Sequence, residues 1–111
     1  MEDLLALSGE SVWKKDVASA ASKEYEVEIY LTSGESFRGF LTGLDTMWLQ
    51  LTTSRLQDRV LTSIQNIQSM RFTGETINSL GFTESVKRKI RGFSYSFKKT
   101  AEEYLEAKSE G

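Results

Sequence analysis

Neither histidine nor cysteine occurs among the 111 residues of this chain, which removes most of the chemistry that side chains can perform. Imidazole and thiolate supply the usual zinc, copper and haem ligands, and imidazole is the base of the familiar nucleophilic triads. Disulfides are excluded on the same count. General acid–base work would fall to carboxylates, lysines or tyrosines, and no pair of these stands in a recognisable motif. A G-x-x-x-x-G-K phosphate loop is also missing. The sequence therefore predicts a protein that is no enzyme and carries neither cofactor nor metal. Binding chemistry is what remains. Lys87, Arg88, Lys89, Arg91, Lys98 and Lys99 crowd one stretch, with Tyr95 among them, and cations so grouped can neutralise phosphates.

The element expected to carry this cluster is a helix. From Glu84 onward Val86, Ile90, Phe93, Phe97, Ala101 and Tyr104 alternate spacings of three and four. At about 100° per residue they fall within one arc of roughly 80°. Ser79 or Thr83 would cap the start, and Gly92 interrupts the run without ending it. The period-two stretch Phe93-Ser94-Tyr95-Ser96-Phe97 would also permit a strand. Lys87, Arg91 and Lys98 share one flank of the helix, with Arg88 and Lys99 farther round. Bases fill its first half, and Glu102, Glu103, Glu106 and Glu110 its end. The helix dipole disfavours that order by a few tenths of a kcal/mol per exposed charge, so stability alone does not select it. Phosphate binding explains it. Docking on an acidic surface, including the acidic half of another copy, explains it too, and a solvated face with no partner is the plain alternative.

Upstream, residues 25–31 (YEVEIYL) alternate. Val27, Ile29 and Leu31 share one face, and Glu26, Glu28 and Tyr30 the other. Thr32-Ser33-Gly34 supplies a tight turn in which Gly34 is free to take a positive φ. Further strands are predicted from about 35 to 44, from 47 to 52, over 59–63 and through 64–72. Consecutive and joined by short links, they are most simply antiparallel. Gly39 and Gly43 stand inside the second of these strands, where glycine normally costs stability. A long strand bent at these glycines would pair with both neighbours and let a narrow sheet curl into a small barrel. A Cβ at such a corner would strike the crossing strand. Residues 8–24 read as a short helix capped by Ser8 or Ser11. Val12, Trp13, Val17 and Ala20 or Ala21 would pack it over one end of the core, and Trp13 is also a candidate partner contact.

Hydrophobic residues make up 39% of the chain and charged residues 27%, the balance of one soluble folded domain. It divides into an N-terminal helical segment (1–24), a β-barrel (25–72) and a C-terminal amphipathic extension (73–111). Met1-Glu2-Asp3 before the short Leu4–Leu7 run is not expected to be a signal peptide. No stretch nears the roughly 20 apolar residues of a membrane span. A cytoplasmic setting is expected from the absence of cysteine. Resting the basic helix on an anionic membrane is opposed by its acidic end.

The segment VEIYL, the Ser33-Gly34 turn, Phe37-Arg38-Gly39-Phe40-Leu41 and then Leu44-Asp45 resembles the first motif of the Sm, LSm and Hfq proteins, over about residues 25–72. That resemblance implies a mainly β fold, a strongly bent five-stranded antiparallel Sm-like (SH3-like or OB-like) barrel behind a short N-terminal helix. It also implies rings in which the fourth strand of one subunit pairs with the fifth of the next. Val60, Leu61, Met70 and Phe72, on the two outer strands here, would then form the oligomer interface. Head-to-tail closure gives roughly five to seven copies.

Members of the family place a base-contacting side chain two residues after the acid of that motif, which corresponds to Met47 after Asp45. Sm and LSm proteins carry asparagine two residues further on, where Leu49 stands. Trp48 between them offers a stacking surface. The family's second motif, Arg-Gly or Lys-His before the last strand, is missing from Val60-Leu61-Thr62-Ser63-Ile64. The usual base pocket is therefore expected to be absent or rebuilt. The resulting expectation is a homo-oligomeric Sm-like ring binding single-stranded RNA, or DNA, with phosphates on the basic segment and bases near Asp45, Met47 and Trp48. The alternative is a ring scaffold that binds protein through its C-terminal helix and takes no nucleic acid.

Overall fold

The sheet changes partners at Gly39. In the computed structural model of the protein, which describes residues 12–45 and 47–110, five antiparallel strands form one sheet: β1 (Tyr25–Leu31), β2 (Ser36–Leu44), β3 (Trp48–Thr53), β4 (Arg59–Ser63) and β5 (Ile67–Thr76). Helix α1 (Val12–Ser22) precedes them and helix α2 (Glu84–Glu110) follows. The first half of β2 pairs with β1, from Tyr30↔Ser36 to Val27↔Gly39, and the second half with β3, from Gly39↔Thr53 to Leu44↔Leu49. Gly39 thus stands at the corner where both ladders meet. A Cβ there would run into the carbonyl oxygen of Thr52 and lie 2.8 Å from both the Thr52 carbonyl carbon and the Thr53 Cα. Only backbone lies in the way, so nothing can swing aside. Gly43 plays a milder part. It follows a register slip after Leu41, and an added Cβ would lie 3.2 Å from the Cβ of Gln50. Gly34 takes φ 98° in the β1–β2 turn, as expected.

The strand order is β4-β3-β2-β1-β5, so β4 and β5 are the two margins of the sheet. They are nevertheless joined by only three residues, Ile64–Asn66. Such a link spans at most about 14 Å between the strand ends. The sheet must therefore be curled until its margins approach each other. This link corrects one expectation: Ile64–Asn66 forms a 3-10 turn instead of strand, because the chain has to cross from one margin to the other there. A second difference lies downstream, where β5 continues past Phe72 to Thr76 and Tyr25 pairs with Thr76 across a bulge. Gly74, at φ 93°, sits in that stretch.

Alternation along the strands builds two apolar clusters. Val27, Ile29, Leu41, Leu49 and Leu51 gather with Val17, Ala18 and Ala21 of α1 and with Phe97 and Ala101 of α2. Phe40, on the opposite face of β2 from Leu41, packs with Ile77 and with Ile90 of α2. Helix α2 therefore belongs to the folded body, since its predicted apolar stripe is covered by this protein's own sheet and first helix. Each large side chain so buried contributes roughly 1.5–3 kcal/mol. Thr83 caps α2, its hydroxyl accepting the Val86 N–H at 3.2 Å, whereas Ser79 bonds to the turn at Thr76. The expected Ser8 and Ser11 caps lie outside the described residues, as does the side chain of Trp13.

Candidate nucleic-acid interface

The basic cluster of α2 divides into two flanks, and one residue outside the helix divides it. Glu24 follows α1 in left-handed backbone, φ 58°, and its carbonyl accepts the Ile77 N–H at 3.0 Å. That posture aims its carboxylate at α2. Arg91 grips it with two prongs, Nε to Oε2 at 2.8 Å and Nη2 to Oε1 at 3.0 Å, and Lys98 Nζ adds a third bond at 3.2 Å. Burial pushes the Glu24 carboxyl up, but the hydrogen bonds from Arg91 and Lys98 outweigh it and hold the group below its ordinary value. Lys87 is largely covered and pairs with Glu84 at 3.3 Å. Three of the six predicted phosphate ligands, Lys87, Arg91 and Lys98, are thus engaged by carboxylates of the same chain. Arg88, Lys89 and Lys99 are exposed and take part in no ion pair among the described residues.

At the β2–β3 turn the structure gives Asp45 a local task. Its Oδ1 accepts the backbone N–H groups of Met47 at 2.9 Å and Trp48 at 2.7 Å, and these two bonds lower its pKa. The Asp45 N–H in turn donates to the Trp48 carbonyl at 2.9 Å. Asp45 therefore shapes the turn, which leaves Met47 60% and Trp48 45% exposed. Trp48 pairs with Ser63 and Gln50 with Leu61, so Trp48 and Leu61 are diagonal neighbours on one face of the β3–β4 hairpin. Leu49, at the position where Sm proteins carry asparagine, is buried in the core.

The four predicted interface residues lie on the margins, in unequal states. Leu61 of β4 is 64% exposed, and Phe72 of β5 is also exposed, its ring edge-on to Tyr25 at 5.6 Å. Val60 is half-buried, and Met70 packs partly against the core. Among the described residues β4 pairs only with β3 and β5 only with β1, so there each margin keeps one row of backbone groups without a strand partner.

Sequence reasoning missed three interactions. Glu24 is the first; it lies 67 residues before Arg91, and no local pattern links them. The second is the Arg59 guanidinium, stacked 4.6 Å from the centre of the Phe93 ring. The third is a surface network on Glu28, which accepts from Tyr30 at 2.7 Å and pairs with Arg71 at 2.7 Å and Arg38 at 3.5 Å. Strand alternation could have found this last one, because Arg38 and Arg71 stand directly across from Glu28 on β2 and β5. Among the described residues no group of three or more carboxylates could hold a metal ion, and no helix is long and apolar enough to cross a membrane.

A five-stranded sheet bent at one glycine, linked margin to margin by three residues and flanked by two helices, defines a small barrel of the Sm-like class. Residues 2–98 match the family of Hfq-like proteins (Phage_Hfq), and the chain belongs to that family. The match takes in α1 and the first part of α2, as far as Lys98, well beyond the segment that carries the motif resemblance. Among solved structures, the crystal structure of the pleiotropic translational regulator Hfq aligns with 54% of this chain and 97% of its own, at 15% identity and a TM-score of 0.49. Comparison with curated proteins gives no match.

Proposed function

We propose that this protein assembles head to tail into a homo-oligomeric ring that binds single-stranded RNA. The observation that carries the reading is the pair of open margins. Among the described residues β4 and β5 each lack a strand partner on one side, and exposed ladder groups invite another strand. Pairing β4 of one copy with β5 of the next satisfies both margins at once and covers Leu61 and Phe72. A rotation that closes gives a ring of roughly five to seven copies. Membership of the Hfq-like family supports the same arrangement.

RNA binding would rest on two kinds of contact. Met47 and Trp48, held outward by the Asp45 turn, offer apolar and aromatic surface to unpaired bases. Arg88, Lys89 and Lys99 offer charge to phosphates. Fluorescence titration against poly-U, poly-A and duplex DNA tests this. The expected result is preference for a single-stranded RNA, with a salt slope near −0.7 for each phosphate neutralised. Absence of binding to every oligonucleotide at low salt would remove the RNA function. DNA in place of RNA is the outcome that would redirect it.

The second reading is a ring scaffold for protein partners, without nucleic acid. The missing Arg-Gly or Lys-His pair and the net charge of −2 favour it. Against docking through the C-terminal helix stands the burial of Ile90, Phe97 and Ala101 inside this protein's own core, which leaves α2 little apolar face for a partner.

A further inference from the structure

We infer that the outward face of α2, centred on Tyr95, is a stacking site for a single-stranded nucleic acid, with Arg88 and Lys99 holding its phosphates. The inference rests on the RNA-binding reading above and names a site separate from the β2–β3 turn. Tyr95 is 70% exposed and makes no hydrogen bond among the described residues, so the fold has no evident use for its ring. At about 100° per residue, Arg88, Gly92, Tyr95 and Lys99 fall within one arc of roughly 60°. Along the axis Arg88 lies about 10 Å to one side of Tyr95 and Lys99 about 6 Å to the other. An aromatic ring between two cations is the arrangement that takes a base and its flanking phosphates without regard to sequence.

Two further observations point to a ligand. From Ser85 to Ala101 the sequence contains no acidic residue, although Glu84 precedes it and Glu102 follows. The cations of the inner flank, Lys87, Arg91 and Lys98, are paired with Glu84 and Glu24, so the cations left without an ion pair among the described residues include those of the outer face. Then there is Gly92, in the middle of a long helix where glycine is the worst ordinary choice. A Cβ there would meet nothing within 4 Å, so packing does not require the glycine. Its bareness does serve a chain lying close against the helix beside Tyr95.

The test uses the full-length protein and two labelled probes, an oligouridine and an abasic oligomer with the same number of phosphates. Tyr95→Ala is expected to weaken oligouridine binding about 5- to 150-fold and leave abasic binding unchanged, while Tyr95→Phe, which keeps the ring, restores it. Arg88→Gln with Lys99→Gln is expected to weaken both probes and flatten the salt slope by about 1.4. Gly92→Ala is expected to raise the melting temperature and yet weaken binding. If the wild type binds oligouridine and Tyr95→Ala matches it, the α2 site is wrong while the RNA function stands. If the wild type binds neither probe at low salt, both fall. If the charge variants change only the oligomeric mass, the face is a contact between copies and the inference is overturned.

Discussion

The centre of the sheet and its margins are built on different terms. Strands β1 and β2 are paired on both sides, and Val27, Ile29 and Leu41 are buried to 2% or less. Their corner admits no side chain at all. The margins β4 and β5 are paired on one side only among the described residues and leave Leu61 and Phe72 exposed. The difference teaches that the centre is specified by the monomer's own packing, whereas the margins present open ladder groups that the proposed head-to-tail pairing would cover. Helix α2 repeats the contrast, with an inner flank locked on Glu24 and an outer flank left bare.

Changes at the centre should cost folding. Gly39→Val is expected to destabilise by about 3 kcal/mol or more, because a branched Cβ would meet backbone that cannot yield. Urea denaturation would measure it, and a stability near wild type would remove Gly39 from the corner. Next in size is the inner flank of α2. Glu24→Ala should cost about 1.5–3 kcal/mol by deleting charge-assisted hydrogen bonds to Arg91 and Lys98. Arg88→Ala on the outer flank should stay within about 0.5 kcal/mol. Equal costs on the two flanks would erase the distinction between them.

Acid sharpens the same contrast. The Glu24 carboxyl is held below its ordinary value of 4.5, so the folded state binds this proton less readily than the unfolded one. Its contribution is fully present above that value and disappears as pH falls through the lower, folded one. Melting temperatures measured down this range should fall less steeply for Glu24→Gln than for wild type. Small effects on the monomer are also expected for Gly43→Ala, at about 1 kcal/mol or less, and for Leu61→Asp, at about 0.5 kcal/mol or less. Leu61→Asp should instead weaken assembly.

Much of this centre could be read from residue order. Alternation in YEVEIYL placed β1, and the two glycines inside an apolar strand marked the bend. The three-four spacing from Val86 to Tyr104 placed α2. Where the reading failed, the deciding partner was remote or the local signal was ambiguous. The last strand is expected to end at Phe72, yet β5 runs on through Thr73-Gly74-Glu75-Thr76, with a bulge opposite Tyr25. Ile64–Asn66 looks like strand, yet the crossing between margins bends it. The functional residues were harder still. Lys87, Arg91 and Lys98 differ from Arg88 and Lys99 only in which side of the helix meets a carboxylate, and Glu24 lies across the fold. Asp45, which the family resemblance suggested as a ligand contact, is occupied by two backbone N–H groups that no side-chain pattern announces.

The account depends most on the open margins. Native mass measurement of the full-length protein at micromolar concentration tests them directly. A closed assembly of roughly five to seven copies is the predicted result, reduced toward monomer by Leu61→Asp. A wild-type protein that remains a stable monomer would contradict it.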